Sequence, residues 1–138
     1  MNRYFHEMNV NPKNKKTSDC VVRALHMTTG NNIEDIMNSL TQIYFKTGYF
    51  VNDKKCYDRY LKDLGYVKHS QAKKADNTKY TGKEFCEYLN KNIKDKSSVF
   101  ANIGGHHVTT FKNFGNGYVV VDIWDCADKC VGNWWSKE

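Results

Sequence analysis

Residues 97–124 read SSVFANIGGHHVTTFKNFGNGYVVVDIW, and at this segment the character of the chain changes. Short runs rich in β-branched and aromatic residues are separated by glycine and asparagine turns, a pattern that is typical of β-strands. Another run of the same kind, VGNWW, follows at residues 131–135. The C-terminal part of the chain is therefore predicted to form a mostly antiparallel sheet.

Upstream of this sheet, the chain has the patterns of four helices. Ser18 can cap a helix that Gly30 can end, and Asn32 can cap a second helix whose apolar residues recur at helical spacing. A third helix is predicted at about residues 53–64, and T81-G-K-E84 has the form of a capping box that opens a fourth. Helices followed by an antiparallel sheet indicate the α+β fold class.

The remaining segments are polar. Residues 68–79 are predicted to form a loop, and residues 1–17, rich in asparagine and lysine, are predicted to be an irregular lead-in. Because no internal repeat or linker divides the sequence, we expect residues 1–138 to form a single domain. A chain of 138 residues can bury a core without support from disulfides or metals.

The composition narrows the class of protein. Hydrophobic residues make up 40% of the chain and proline occurs once, which is typical of a globular domain. No apolar run approaches the roughly 20 residues of a membrane helix, and the N-terminus lacks the apolar segment of a secretory signal, so we expect a soluble, cytoplasmic protein with no membrane partner. The net charge of +6 would suit an acidic partner such as nucleic acid, but the lysines are spread along the chain, as on a solvated surface.

Cys20 is the candidate nucleophile. It lies at the start of a predicted helix, where unpaired backbone N–H groups and the positive end of the helix dipole stabilise an anion. A thiolate is such an anion, so this position is expected to lower the pKa of the thiol and raise its reactivity. The five cysteines are expected to be reduced. The alternative is that Cys20 is a small buried side chain that packs against Val21.

A thiol nucleophile needs a histidine that a third polar group holds in place. A turn centred between Phe114 and Gly115 would set His107 directly opposite Asp122 in a hairpin. Opposed residues share one face of the sheet at a Cβ separation of roughly 5 Å, so Asp122 can orient His107, whereas His106 would point to the other face. A register shifted by one residue would exchange the two histidines.

Acyl transfer through a thiol also needs hydrogen-bond donors for the developing oxyanion. The backbone N–H of Cys20 can supply one donor. The side-chain amide of Asn14, six residues upstream, is the best-placed second donor, and Asn11 is a weaker choice. Either asparagine could instead be a turn residue.

Together these residues resemble the site of the papain-like cysteine peptidase superfamily in order and spacing. Asn14, Cys20, His107 and Asp122 occupy, in that order, the places of its oxyanion amide, nucleophile, base and orienting residue. The resemblance is narrower for small phage-encoded proteins with a papain-like core, and it is carried by D19-C-V-V-R-A24, H107-V-T-T-F111, D122-I-W-D125 and C130-V-G-N-W-W135.

This resemblance implies a papain-like core in which a helical N-terminal half, bearing the cysteine, packs on a C-terminal antiparallel sheet. It also implies a thiol peptidase or amidase with a Cys-His-Asp triad, a covalent acyl-enzyme, no cofactor, and a peptide or protein substrate. If the chain is phage-encoded, the location implied is the cytoplasm of the host cell.

Two other functions fit the same sequence. Cys126 and Cys130, with His106 and His107 nearby in the predicted sheet, offer ligands that zinc accepts, although a single Cys-x3-Cys is less than the usual pair of ligand knuckles. The chain could also be a non-enzymatic basic binding or inhibitor protein, because its tryptophans and nine tyrosines could stack on bases.

Overall fold

The structure, a computed structural model, describes residues 3–137. Within these residues the helices are α1 (Cys20–Thr29), α2 (Ile33–Thr47), α3 (Lys54–Asp63) and α4 (Gly82–Asn92). The strands are β1 (Phe5–Glu7), β2 (Tyr66–His69), β3 (Val99–Ile103), β4 (His107–Asn113), β5 (Tyr118–Asp122) and β6 (Val131–Lys137). The predicted α+β class is confirmed. None of the helices in the described part of the chain is long and apolar enough to cross a membrane.

The strands form one mixed sheet in the order β1-β5-β4-β3-β6-β2. All its pairs are antiparallel except β1 with β5, in which Phe5 lies beside Val120. The prediction that residues 1–17 are irregular is therefore wrong at Phe5–Glu7, and the loop predicted from residue 68 begins inside β2. Both strands are short and lie at the edges of the sheet. They form because they pair with strands distant in the chain, and their local sequence pattern alone does not predict them.

Hydrophobic residues pack against both faces of the sheet. Adjacent residues of a strand point to opposite faces, so Val99 and Phe100 belong to different core clusters. The cluster with Phe100 includes buried side chains of α1, α2 and α3, and the cluster with Val99 includes those of α4. The helix that begins with Cys20 thus packs on the central strands of the sheet.

The helix ends follow the local sequence at most positions. Gly30 ends α1 in the left-handed conformation, Asn32 caps α2 through its side chain, and residues 81–84 form the predicted capping box. Ser18, however, does not cap α1. Asp19 holds the N-cap position, and its carboxylate makes no capping bond because it binds side chains elsewhere.

Candidate active site

A cleft of about 420 Å³ opens at the N-terminal end of α1. Cys20 and His107 both line it, and so does Trp124, which follows β5. The other walls include residues 17–19 ahead of α1, Val51 and Asn52 ahead of α3, and Tyr57, Val108 and Ile123. The cleft therefore lies where the first helix meets the ends of two central strands.

Cys20 is the first residue of α1 and is half-buried. Burial raises the pKa of its thiol, but hydrogen bonds with His107 and with the backbone of Val108, together with the positive charges of His107 and Arg23, outweigh burial. The pKa of Cys20 consequently lies below its ordinary value of 9.0. The positive end of the helix dipole acts in the same direction. The environment of Cys20 favours the thiolate.

His107 is joined to Asp122 by a short hydrogen bond, with Nε2 2.6 Å from Oδ2. Because Nε2 is engaged in this way, Nδ1 is the ring nitrogen left for the thiol of Cys20. The structure thus brings together Cys20, His107 and Asp122, three of the four residues predicted from the sequence.

The hairpin register that led to this pair is not the one predicted. The turn is centred one residue later, between Gly115 and Asn116, so that Thr110 pairs with Val121 and the extrapolated partner of Asp122 is Thr109. This moves the expected partner by two positions. Because side chains alternate with a period of two, a two-residue shift keeps His107 and Asp122 on the same face, as diagonal neighbours.

Trp124, two residues beyond the end of β5, contacts His107. The two rings lie 5.1 Å apart between centroids and are tilted by 49°. The indole is 42% exposed and lines the cleft beside the imidazole. His106, the alternative partner, is exposed and also lines the cleft.

Asp122 is 1% exposed and its two carboxylate oxygens have different partners. Oδ1 accepts from Nη1 of Arg23 at 3.2 Å and from the backbone N–H of Ile123 at 2.7 Å. Oδ2 accepts from His107 and, at 3.8 Å, from the thiol of Cys126. Burial raises the pKa of Asp122, but the hydrogen bond with His107 and the positive charge of His107 outweigh burial. The pKa of Asp122 therefore lies below its ordinary value, and the carboxylate is ionised.

Arg23 is the main contributor to the site that the sequence analysis missed. Its side chain is 3% exposed, and Nε lies 2.6 Å from Oδ1 of Asp19, one turn earlier on α1. The Asp-x-x-x-Arg spacing is a local signal that could have revealed this pair. The bond to Asp122 is not local, since 99 residues separate the two in the chain.

The charges of His107 and Cys20 support one another. Burial lowers the pKa of His107, but hydrogen bonds with Asp122, Cys126 and Cys20 raise it far more, to about 11. The lowered pKa of Cys20 and the raised pKa of His107 together favour a thiolate–imidazolium ion pair. This is the reactive form of a thiol nucleophile.

Asn14, the predicted oxyanion donor, is not brought to the cleft. It is exposed, has a φ of 55° and does not contribute to the cleft walls. Asn11, the weaker alternative, has a structural role, because its amide donates to Asp19 at 2.9 Å while its oxygen accepts from the backbone of residues 13 and 15. The backbone N–H of Cys20, which precedes the first intrahelical bond, remains a candidate oxyanion donor.

The metal ligands proposed from the sequence do not come together as a set. Cys126 is buried next to Asp122, whereas Cys130 is exposed and its backbone pairs with Thr81. Among residues 3–137, the one group of three or more side chains able to hold a metal ion consists of His107, Asp122 and Cys126, whose ligand atoms all lie within 4.8 Å of one another.

No protein-family model matches this chain, and comparisons with curated proteins and with solved structures found no match either. The chemistry of the cleft therefore has to be inferred from its own residues.

Proposed function

We propose that this protein is a papain-like cysteine hydrolase that cleaves an amide bond, in a peptide or protein, through a covalent acyl-enzyme. The observation that carries the proposal is the chain of contacts from the thiol of Cys20, through His107, to the buried carboxylate of Asp122. A thiol that opens a helix, an imidazole beside it and an acid that orients the imidazole have the roles that nucleophilic acyl transfer requires.

In the first half of the reaction, the thiolate of Cys20 attacks the amide carbonyl. A C–S bond forms, and the electron pair of the C=O double bond moves to the oxygen, where the backbone N–H of Cys20 can donate to it. As the C–N bond breaks, the imidazolium of His107 gives its proton to the departing nitrogen. The amine leaves, and the acyl group remains on sulfur as a thioester.

In the second half, water takes the place of the amine. Neutral His107 removes a proton from the water while its oxygen adds to the thioester carbonyl. The C–S bond then breaks, the carboxylic acid leaves, and the thiolate–imidazolium pair is restored. Asp122 stays ionised throughout, because its role is to hold the tautomer and orientation of His107 and to stabilise the imidazolium.

The test is selective alkylation of the native protein with limiting iodoacetamide at several pH values, followed by peptide mapping. Cys130 serves as an internal standard, because it is an exposed thiol outside the cleft. We expect Cys20 to be modified faster than Cys130 below about pH 8, although it is less exposed. Equal modification of the two thiols would contradict the proposal.

A pair of histidine variants adds a matched control. His107→Ala should abolish the preference for Cys20, because it removes the hydrogen bond and the charge that lower the thiol pKa. His106→Ala changes the neighbouring residue in the same cleft and should leave most of the preference. If both variants behave alike, the thiol is not activated by His107.

A further inference from the structure

We propose that His107, Asp122 and Cys126 form a binding site for a soft divalent cation, Zn²⁺ by its chemistry, and that the bound metal blocks the thiol reaction of Cys20. The three side chains come from the start of β4, the end of β5 and the loop that follows β5. Their ligand atoms already lie within 4.8 Å of one another. Metal binding stands on these contacts alone, whereas the block on Cys20 rests on the proposed function.

The donor set matches the preferences of zinc. An imidazole nitrogen, a thiolate sulfur and a carboxylate oxygen are its three protein ligand types, and bond lengths of about 2.0–2.3 Å require only small movements from the contacts present. Nε2 of His107 and Sγ of Cys126 both approach Oδ2 of Asp122, at 2.6 Å and 3.8 Å. Harder cations such as Mg²⁺ would gain little from the sulfur and nitrogen ligands.

The surroundings of Asp122 are those of a supported metal ligand. Oδ1 is held by Arg23 and by the backbone N–H of Ile123, which leaves Oδ2 directed at His107 and Cys126. Hydrogen bonds of this kind fix a ligating carboxylate and raise metal affinity. One thiolate and one carboxylate also balance the two positive charges of the cation.

Metal binding and catalysis would exclude each other, because both use Nε2 of His107 and Oδ2 of Asp122. On binding, the cation replaces the proton between these atoms and the S–H proton of Cys126, and both protons pass to the buffer without any change in oxidation state. The His107–Asp122 hydrogen bond is then lost and the imidazole becomes neutral, so the thiolate of Cys20 loses its imidazolium partner.

Binding can be measured with Co²⁺ as a spectroscopic substitute for Zn²⁺, on protein first freed of metal with a chelator. We expect one Co²⁺ per chain and a near-ultraviolet thiolate-to-cobalt band in the wild type and in Cys20→Ala. The band should be lost, and the affinity should fall about 100-fold or more, in Cys126→Ala. Cys86→Ala is the matched control, because Cys86 is an equally buried cysteine outside the site.

Three results would overturn the proposal. These are a wild-type protein that binds no Co²⁺, a band that Cys126→Ala retains, and a band that Cys20→Ala loses, since the last would place the metal between Cys20 and His107. If Cys126→Ala does not fold, as judged by circular dichroism, Cys126→Ser provides the same test of the band, and Asp122→Asn should weaken Co²⁺ binding.

A second measurement separates this proposal from the proposed function. Alkylation of Cys20 is followed with and without Zn²⁺, and each variant is compared with its own metal-free rate. Zinc should slow the reaction in the wild type, and Cys126→Ala should need about 100-fold more zinc for the same effect. Preferential alkylation that zinc slows equally in both proteins would contradict the metal site alone. Absence of preferential alkylation in metal-free protein would contradict the proposed function, whatever the Co²⁺ result.

Discussion

Nη1 of Arg23 lies 3.2 Å from Oδ1 of Asp122, a contact that joins α1 to β5 inside the protein. The guanidinium and the carboxylate are 3% and 2% exposed, so both charges are removed from water. This contact positions the helix that begins with Cys20 relative to the carboxylate that is hydrogen-bonded to His107. The ion pair therefore has consequences for stability as well as for the site.

Arg23→Met should lower the free energy of unfolding by about 3–5 kcal/mol, because it removes the buried guanidinium that Asp19 and Asp122 share as an ion-pair partner. Urea denaturation measures the effect. The matched control is Arg59→Met, which breaks an i,i+4 pair with Asp63 whose partners are 49% and 57% exposed. That variant should lose less than about 1 kcal/mol. Equal losses would show that the Arg23 pair contributes no more than a surface pair.

Asp122→Asn should move the reactivity of Cys20 to higher pH. The variant keeps the shape of the side chain but removes the charge that sustains the imidazolium of His107, and the thiolate then loses its partner. Below the thiol pKa, each unit by which that pKa rises reduces the thiolate fraction about tenfold. The rate of iodoacetamide alkylation of Cys20, measured across pH, reports the shift. A profile identical to that of the wild type would show that the charge of Asp122 does not sustain the imidazolium of His107.

The charge of His107 should also make stability depend on pH. The pKa of His107 is raised from 6.5 to about 11, so the imidazolium stabilises the folded state. This contribution is complete below about pH 6.5 and is lost as the pH rises toward 11. In the Cys20→Ala background, the difference in unfolding free energy between chains with His107 and with His107→Gln should therefore shrink from about pH 7 to about pH 10.

The Cys20→Ala background removes the opposing titration of the thiol, so that the difference reports His107. A difference that stays constant over this range, or grows, would show that the folded protein does not raise the pKa of the imidazole.

Gly82→Ala should destabilise the protein by about 1–3 kcal/mol, because α4 begins with no room for a side chain. A Cβ at Gly82 would lie 2.9 Å from backbone atoms of Ala127. Backbone N–H groups of Gly82 and Lys83 also donate to the loop of residues 126–129, at 2.9 Å and 3.0 Å. Urea denaturation measures the loss. Lys83→Ala, at the adjacent and partly exposed position, should have a much smaller effect, and equal effects would contradict the steric explanation.

Much of the fold could be predicted because its signals are local. Asn32 and Thr81 cap their helices with side chains that reach backbone N–H groups two or three residues away, so the pattern contains both partners. Asp19 is the exception, since its carboxylate is taken by Asn11 and Arg23. Whether Ser18 or Asp19 holds the N-cap position of α1 depends on these side-chain contacts, which the sequence pattern of the helix does not contain.

The site was predictable only in part for the same reason. Side chains alternate between the two faces of a strand, so a register error of two residues leaves each side chain on the same face. The predicted contact between His107 and Asp122 is therefore present, although the predicted turn lies one residue too early. The contacts of Arg23 and Cys126 with Asp122 cannot be predicted from the helix or strand periodicity of the sequence. The position of Asn14 six residues before Cys20 in the chain does not determine where its side chain points.

Strand β1 ties the beginning of the chain to the acid of the site. Glu7 lies beside Asp122 in the parallel pair, and the backbone N–H of Met8 donates to the carbonyl oxygen of Asp122 at 3.0 Å. Trimming these residues, or displacing them with a fused affinity tag, would free one side of the backbone that presents this carboxylate. Preparations that differ only at the amino terminus can therefore differ in the behaviour of a thiol elsewhere in the molecule.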